Sequence, residues 1–309
     1  MRNIILDCDP GHDDAIAIML AGKSPKINLL GITVVAGNQT IEKTANNALN
    51  VSQYLDLPVK VYKGSSEPLV KAKQQIAADI HGETGLDGPT FAPLVRQPES
   101  QHAVLYIIEE VLNSEQPVTL VATGPLTNIA LALKLEPKIK ENIEEIVIMG
   151  GSTALGNMTP AAEFNILVDG EAASIVFNSG VHVVMVGLDV TRKVMVLPEI
   201  VDRMDRISNK ASQLFVDLMR FFNKTQKEVF GWDGGPLHDP LTIAYLIDPS
   251  VVKTRLMNVQ IDIKSEQSYG RTNCDIFGMS EGPKNSSVCL EVDIEKYWRI
   301  VEEGIHQYD

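Results

Sequence analysis

Four carboxylates crowd into one short stretch near the start of the chain, Asp7-Cys8-Asp9-Pro10-Gly11-His12-Asp13-Asp14. Ionised carboxylates at such spacing repel one another, and the arrangement is tolerable where a cation neutralises them or a helix N-terminus faces them. Hard oxygen donors suit calcium or magnesium, and the choice between the two depends on cavity size and ligand number. The spacing is not that of an EF-hand, which needs regular alternation of ligands, a mid-loop Gly and a distal Glu. A single Asp before a helix is also an ordinary N-cap, but one cap does not account for four acids.

Other residues with chemical potential lie far along the chain. His238 adjoins Asp239, which precedes Pro240 and an apolar run and so reads equally well as a helix cap with Pro at the first position. His81 sits in a Gly-rich segment, and Glu163-Phe164-Asn165 form a polar stretch around one aromatic. Phe222, Gln226 and Phe230 recur four apart, which puts them along one helical face, with Trp232 just beyond. That stripe is either a wall for a planar ligand or part of the core.

The elements that must position these groups are legible from Val- and Ile-rich runs: NIILD, INLLGITVVA, PVKVYKG, VTLVATG, IEEIVIMGG and VHVVMVGLD. Between them, apolar residues recur three and four apart at 14–22, 40–55, 102–113 and 125–135, and again at 295–303. This alternation predicts an α/β fold with a doubly wound, mainly parallel sheet, whose carboxyl edge is where ligands bind. The acidic stretch follows the first strand and belongs at that edge. Two later runs, 256–263 and 287–294, alternate apolar and polar residues and predict a small antiparallel addition with one wet face. Segments 64–100, 150–165 and 264–285 exceed ordinary loop lengths, which marks them as functional or mobile. No low-complexity linker divides the chain, so we expect one domain over 1–309.

Composition narrows the partners. A formal net charge of −13 disfavours nucleic acid, whose phosphates call for clustered Lys and Arg. The three cysteines, Cys8, Cys274 and Cys289, form neither a disulfide framework nor a zinc pattern, which suits a reducing cytoplasm. The sequence from Met1 lacks the apolar core of a secretory signal, and no apolar run approaches the ~18 residues of a membrane span.

An Asp-x-Asp after a first strand also opens phosphotransferases of the haloacid dehalogenase type. Here Pro10 and Gly11 replace the expected hydroxyl context, and Asp13 and Asp14 have no part in that scheme. A closer likeness covers most of the chain. DCDPGHDDAIAI resembles the N-terminal motif of the inosine-uridine nucleoside hydrolase family, and it is followed in family order by GNQT, HGETGLDGP, ATGPLTNIA, EIVIMGG, AEFNI and HDP.

The resemblance implies that Asp9, Asp14 and Asp239 bind Ca2+ through their side chains and Thr123 through its carbonyl. It assigns Asp13, Asn38, Glu163 and Asn165 to the ribose hydroxyls, with the Met149 backbone, Asn157 and Phe164 in the pocket wall. Glycosidic cleavage passes through an oxocarbenium-like state, so the implied roles are water activation by Asp9 and inversion at the anomeric carbon. Proton donation to the departing base falls first to His238 and second to His81. Base preference is expected from Phe222, Gln226, Phe230 and Trp232. HGETGLDGP, YGRTNCD and Gln226 resemble bacterial pyrimidine-preferring members, although Phe230 stands where those members commonly have Tyr. Uridine and cytidine are the expected substrates, with inosine as competitor and a homotetramer or dimer as the expected assembly. The rival of another class is an idle nucleoside-binding protein that keeps the cation cage for stability.

Overall fold

A computed structural model describes residues 1–72 and 76–309. Residues 73–75, inside the long segment 64–100, lie outside the described residues. The first half alternates strand and helix: β1 (Arg2–Cys8), α1 (His12–Lys23), β2 (Ile27–Val34), α2 (Ile41–Tyr54), β3 (Val61–Lys63), α3 (Ala78–His81), α4 (Ala103–Asn113), β4 (Val118–Ala122), α5 (Thr127–Leu135) and β5 (Ile143–Met149). Next come α6 (Phe164–Val168), α7 (Gly170–Phe177), β6 (Val183–Val186), α8 (Leu188–Thr191), α9 (Pro198–Asp205), α10 (Lys210–Phe230) and α11 (Pro240–Ile247). The chain closes with β7 (Val252–Met257), β8 (Val259–Ile261), β9 (Thr272–Cys274), β10 (Ser286–Val292) and α12 (Ile294–His306).

Eight strands form one sheet in the order β3-β2-β1-β4-β5-β6-β10-β7. All its neighbours are parallel except β10 and β7. The β-branched runs form strands because both faces are covered. Ile4, Leu6 and Cys8 join the core on one side with α1, α2 and α10 to α12, whereas Ile5 joins the opposite core with α4, α5 and α7. Period-two alternation thus feeds two cores from a single strand.

Two expectations change. The run 287–294 does not join the small antiparallel unit: β10 enters the main sheet, parallel to β6 and antiparallel to β7. The small sheet is β8 paired with β9, so the run 256–263 is divided between two sheets. Helix α1, read as amphipathic, is buried at every position from His12 to Ala21. It packs against α2, α10, α11 and α12 while lying on the sheet, and a helix enclosed on all sides needs no polar face.

From β1 the sheet grows outward through β2 and β3, and from β4 it grows the other way through β5 and β6. The reversal lies between β1 and β4, and the crevice at the carboxyl ends of such a pair is where open α/β sheets bind ligands. Asp9 follows β1 and Thr123 follows β4, so both stand at that crevice.

Candidate active site

The crevice opens into a cavity of about 300 Å³. Its wall includes Asp13, Asn38, His81, Thr123, Met149, Asn157, Glu163, Phe164, Asn165, Phe222, Gln226, Phe230, His238 and Asp239. Residues from every chemical stretch in the sequence therefore meet in one place. Asp9 and Asp14 lie behind this surface, both fully buried.

The acids are held closely. Asn38 donates its backbone N–H to Asp9 Oδ2 at 2.6 Å and its side-chain amide to Asp14 Oδ2 at 3.3 Å. Asp14 also accepts from Gly11 N at 3.0 Å and from the Thr123 hydroxyl at 2.7 Å. Glycine flanks Asp9 for want of space: a Cβ on Gly37 would lie 2.0 Å from Asp9 Oδ2, and one on Gly124 would lie 2.6 Å from Oδ1. Asp7 points elsewhere, accepting from Thr33 Oγ1 and Asn128 Nδ2, and so braces the strand end.

Asp13, Asp14 and Asp239 each bring an oxygen within 4.8 Å of the others. Asp9 Oδ1 and Asp13 Oδ1 are buried without a hydrogen-bond partner. Burial first, and then the neighbouring carboxylates, push Asp9 and Asp239 well above the usual carboxylate range and Asp13 up to about 7. Arg192 is the one Arg or Lys in the described cavity wall, and its guanidinium donates to the carbonyls of Leu155 and Gly156. Orphaned oxygens, mutual repulsion and an all-oxygen donor set fit a hard divalent cation.

On the neighbouring wall, Glu163 caps α6. Its carboxylate accepts from Asn165 N, Ile166 N and Gly151 N, so it ties the 150–165 segment together. The Asn165 amide donates to Thr123 O at 2.8 Å and to Met149 O at 3.0 Å, bridging the ends of β4 and β5. Asn157 accepts from Phe164 N at 2.9 Å, leaving its NH2 group.

The far wall is aromatic. Helix α10 starts in an Asn209–Ser212 capping box and ends at Gly231, whose φ of 73° places it in the left-handed region. Phe222 and Gln226 are buried, but Phe230 is 49% exposed and stacks on Trp232 with ring centroids 4.8 Å apart at the cavity mouth. Gln226 Oε1 is buried without a partner.

Two histidines face the cavity from different supports. His238 Nδ1 lies 2.7 Å from the Thr191 hydroxyl, and burial, reinforced by the Arg192 charge, pushes its pKa down to about 3. His81 Nδ1 lies 3.1 Å from Nδ1 of His12, whose Nε2 lies 2.7 Å from Asp87 O. A carbonyl only accepts, so His12 carries its proton on Nε2, and in the neutral pair the proton between the rings belongs to His81 Nδ1. The His12 backbone N–H is also aimed at His81 Nδ1, at the longer distance of 3.3 Å, and this tautomer leaves that bond unmade. His81 Nε2 is then left as an acceptor. Thr191 and Arg192 had no signal in the sequence, and His12, although inside the acidic motif, had none for this role, because each acts on a residue remote along the chain.

The family model for inosine-uridine preferring nucleoside hydrolases matches residues 4–299. The chain is 53% identical to the pyrimidine-specific ribonucleoside hydrolase RihB of Escherichia coli K12 over 99% of this chain and 98% of that protein. Among solved structures, the purine-preferring ribonucleoside hydrolase from Gardnerella vaginalis superposes with a TM-score of 0.93 at 36% identity, covering 99% of both chains. A plant nucleoside hydrolase, PpNRh1, superposes with a TM-score of 0.91 at 30% identity, also covering 99% of both chains.

Proposed function

This chain belongs to the inosine-uridine preferring nucleoside hydrolase family, and we propose that it is a calcium-dependent, pyrimidine-preferring member that cleaves uridine and cytidine to ribose and free base. The observation that carries the base preference is Gln226, whose buried Oε1 has no partner in the cavity wall. Its amide both donates and accepts, as the polar edge of a pyrimidine does, and it lies one helical turn from Phe222, which offers a stacking face. The identity to a pyrimidine-specific relative, 53%, exceeds that to a purine-preferring one, 36%, and supports the same reading.

The decisive measurement is release of reducing sugar from uridine, cytidine and inosine without added phosphate; a phosphate requirement would point to phosphorolysis instead. Gln226→Leu is expected to lower kcat/KM for uridine about tenfold or more while affecting inosine less, because the polar edge of the pyrimidine is then desolvated without a partner. An unchanged uridine-to-inosine ratio would remove Gln226 from base selection. Broad inosine-uridine specificity is the second reading, favoured by the exposed Phe230–Trp232 pair, which leaves the mouth open to a larger base.

Asp9, Asp14 and Asp239, with the Thr123 carbonyl, would hold the calcium ion. When bound, it would neutralise the acids and supply Lewis acidity. Asp9 takes the proton of the attacking water on Oδ1, the oxygen without a partner, while Oδ2 is fixed by Asn38. Asp13, Asn38, Glu163 and Asn165 grip the ribose hydroxyls, the last three from positions already fixed by their own hydrogen bonds, so little reorganisation accompanies the development of positive charge. Attack opposite the base inverts the anomeric carbon. His238 donates toward the departing base, with His81 next to it as acceptor. Phe164 and Asn157 close the wall beside the sugar. The intact acid cluster and His238 argue for turnover over an idle binding protein.

Removing the cation should expose the repulsion. A carboxyl whose folded pKa is raised favours folding below its unfolded value and loses that contribution as pH rises through the folded value. For Asp13 the window runs from 3.8 to about 7. In chelator the melting temperature should therefore fall across this window, and excess calcium should restore on the order of 5 °C at pH 7.5. Identical melts with and without calcium would argue against a resident ion.

We further assign the whole of 1–309 to one catalytic unit that assembles as a homotetramer or dimer, which sedimentation would test. The three free cysteines suit the cytoplasm, and among the described residues no helix is long and apolar enough to cross a membrane.

A further inference from the structure

Helix α8 is a single turn, yet it grips both sides of the cavity. Asp189 accepts from Thr153 N at 2.8 Å, and Arg192, just past its end, donates to Gly156 O at 2.6 Å, so the turn holds the 150–165 segment. Between them, Thr191 meets His238 Nδ1 at 2.7 Å. Thr191 is fully buried, and among the described residues its hydroxyl has no other hydrogen-bond partner. A buried hydroxyl proton needs an acceptor, and among the described residues the one in reach is the lone pair on His238 Nδ1.

We propose that Thr191 is a positioning residue: it donates its hydroxyl proton to His238 Nδ1 and so holds the neutral imidazole as the Nε2–H tautomer. With Nδ1 occupied, Nε2 is the ring nitrogen left to face the cavity, and it carries a proton to offer. In the opposite tautomer Nε2 would present a lone pair to a departing base that is gaining negative charge, which is repulsive. His81, set by His12 and the Asp87 carbonyl, presents that lone pair. The two cavity histidines are therefore fixed in complementary states, one a donor and one an acceptor, by Thr191 and His12, neither of which lines the cavity. The catalytic half of this inference rests on His238 acting at the base, as proposed above.

The test uses the calcium-loaded enzyme and two variants. Thr191→Val keeps the shape and removes the hydroxyl, and Thr191→Ser keeps the hydroxyl. Nitrogen-15 shifts of the histidine rings, with His238 assigned by its loss in His238→Ala, should report Nε2–H in the wild type and in Thr191→Ser, and a shift toward Nδ1–H in Thr191→Val. A wild-type ring protonated at Nδ1, or no change in Thr191→Val, overturns the tautomer assignment. In kinetics, Thr191→Val should lower kcat for uridine about tenfold while nitrophenyl riboside, whose leaving group needs no donor, falls by less than about twofold, and Thr191→Ser should recover most of the uridine loss. An equal fall on both substrates overturns the positioning role. If His238→Ala itself lowers both substrates alike, the reading of His238 fails, and with it the catalytic half, while the nitrogen shifts still decide the tautomer.

Discussion

At saturating calcium, Asp9→Ala and Asp9→Asn are expected to lower kcat for uridine by about 10²- to 10⁴-fold, the range set by loss of a positioned general base. Both proteins should fold. Asp9 sits between Gly37 and Gly124 with no room to swing, and its Oδ1 finds no partner. Burial first and Asp14 second raise its pKa, so its ionised form works against folding at neutral pH in the absence of a cation. Removing the charge relieves that repulsion, and in chelator Asp9→Asn should melt at or above the wild type. The Asn variant separates charge from shape, because its carbonyl can still accept from Asn38 N while neither side-chain atom can take a proton from water. If uridine turnover survives in Asp9→Asn at saturating calcium, water activation belongs elsewhere, and Asp13, which lines the cavity, is the next candidate.

The acid loop was legible in the sequence because its members are contiguous and their crowding has few explanations. Its location at the carboxyl edge of the sheet followed from strand alternation alone, whereas the β1/β4 switch point needed the strand order. What the sequence did not disclose depends on proximity in space. Thr191 and His238 are 47 positions apart, and nothing in GLDVTRK marks its threonine as a histidine's partner. The burial of α1 from His12 to Ala21 escaped pattern reading for a related reason: the helix is enclosed by α2 and by helices from the last third of the chain. Its acids are buried with it. The alternation in Ser286–Val292 was real but misassigned, since a strand near the rim of a large sheet shows the same half-buried pattern as one in a small hairpin. Glu163 shows a different limit. Its backbone partners explain its burial completely, so the ribose contact proposed for it would be a second duty, which spacing could not distinguish from capping.

His238→Ala should separate substrates by leaving group, with uridine kcat falling about 10²-fold or more and nitrophenyl riboside by less than about tenfold. Uracil leaves poorly as an anion, and nitrophenolate leaves well without help. The state of the imidazole sharpens the expectation. Burial first and Arg192 second hold the His238 pKa down at about 3, so the ring is neutral throughout pH 5 to 8. A neutral imidazole stabilises developing negative charge as a hydrogen-bond donor and need not surrender an imidazolium proton. The pH profile of wild-type kcat/KM should accordingly show no limb in that interval that disappears in His238→Ala. Such a limb would mean that His238 works as a cationic acid, with a free-enzyme pKa well above the value that burial and Arg192 set. Equal losses on the two substrates would remove His238 from leaving-group chemistry altogether. His81 is then a poor replacement as donor, since the Asp87 carbonyl, acting through His12, leaves its Nε2 without a proton.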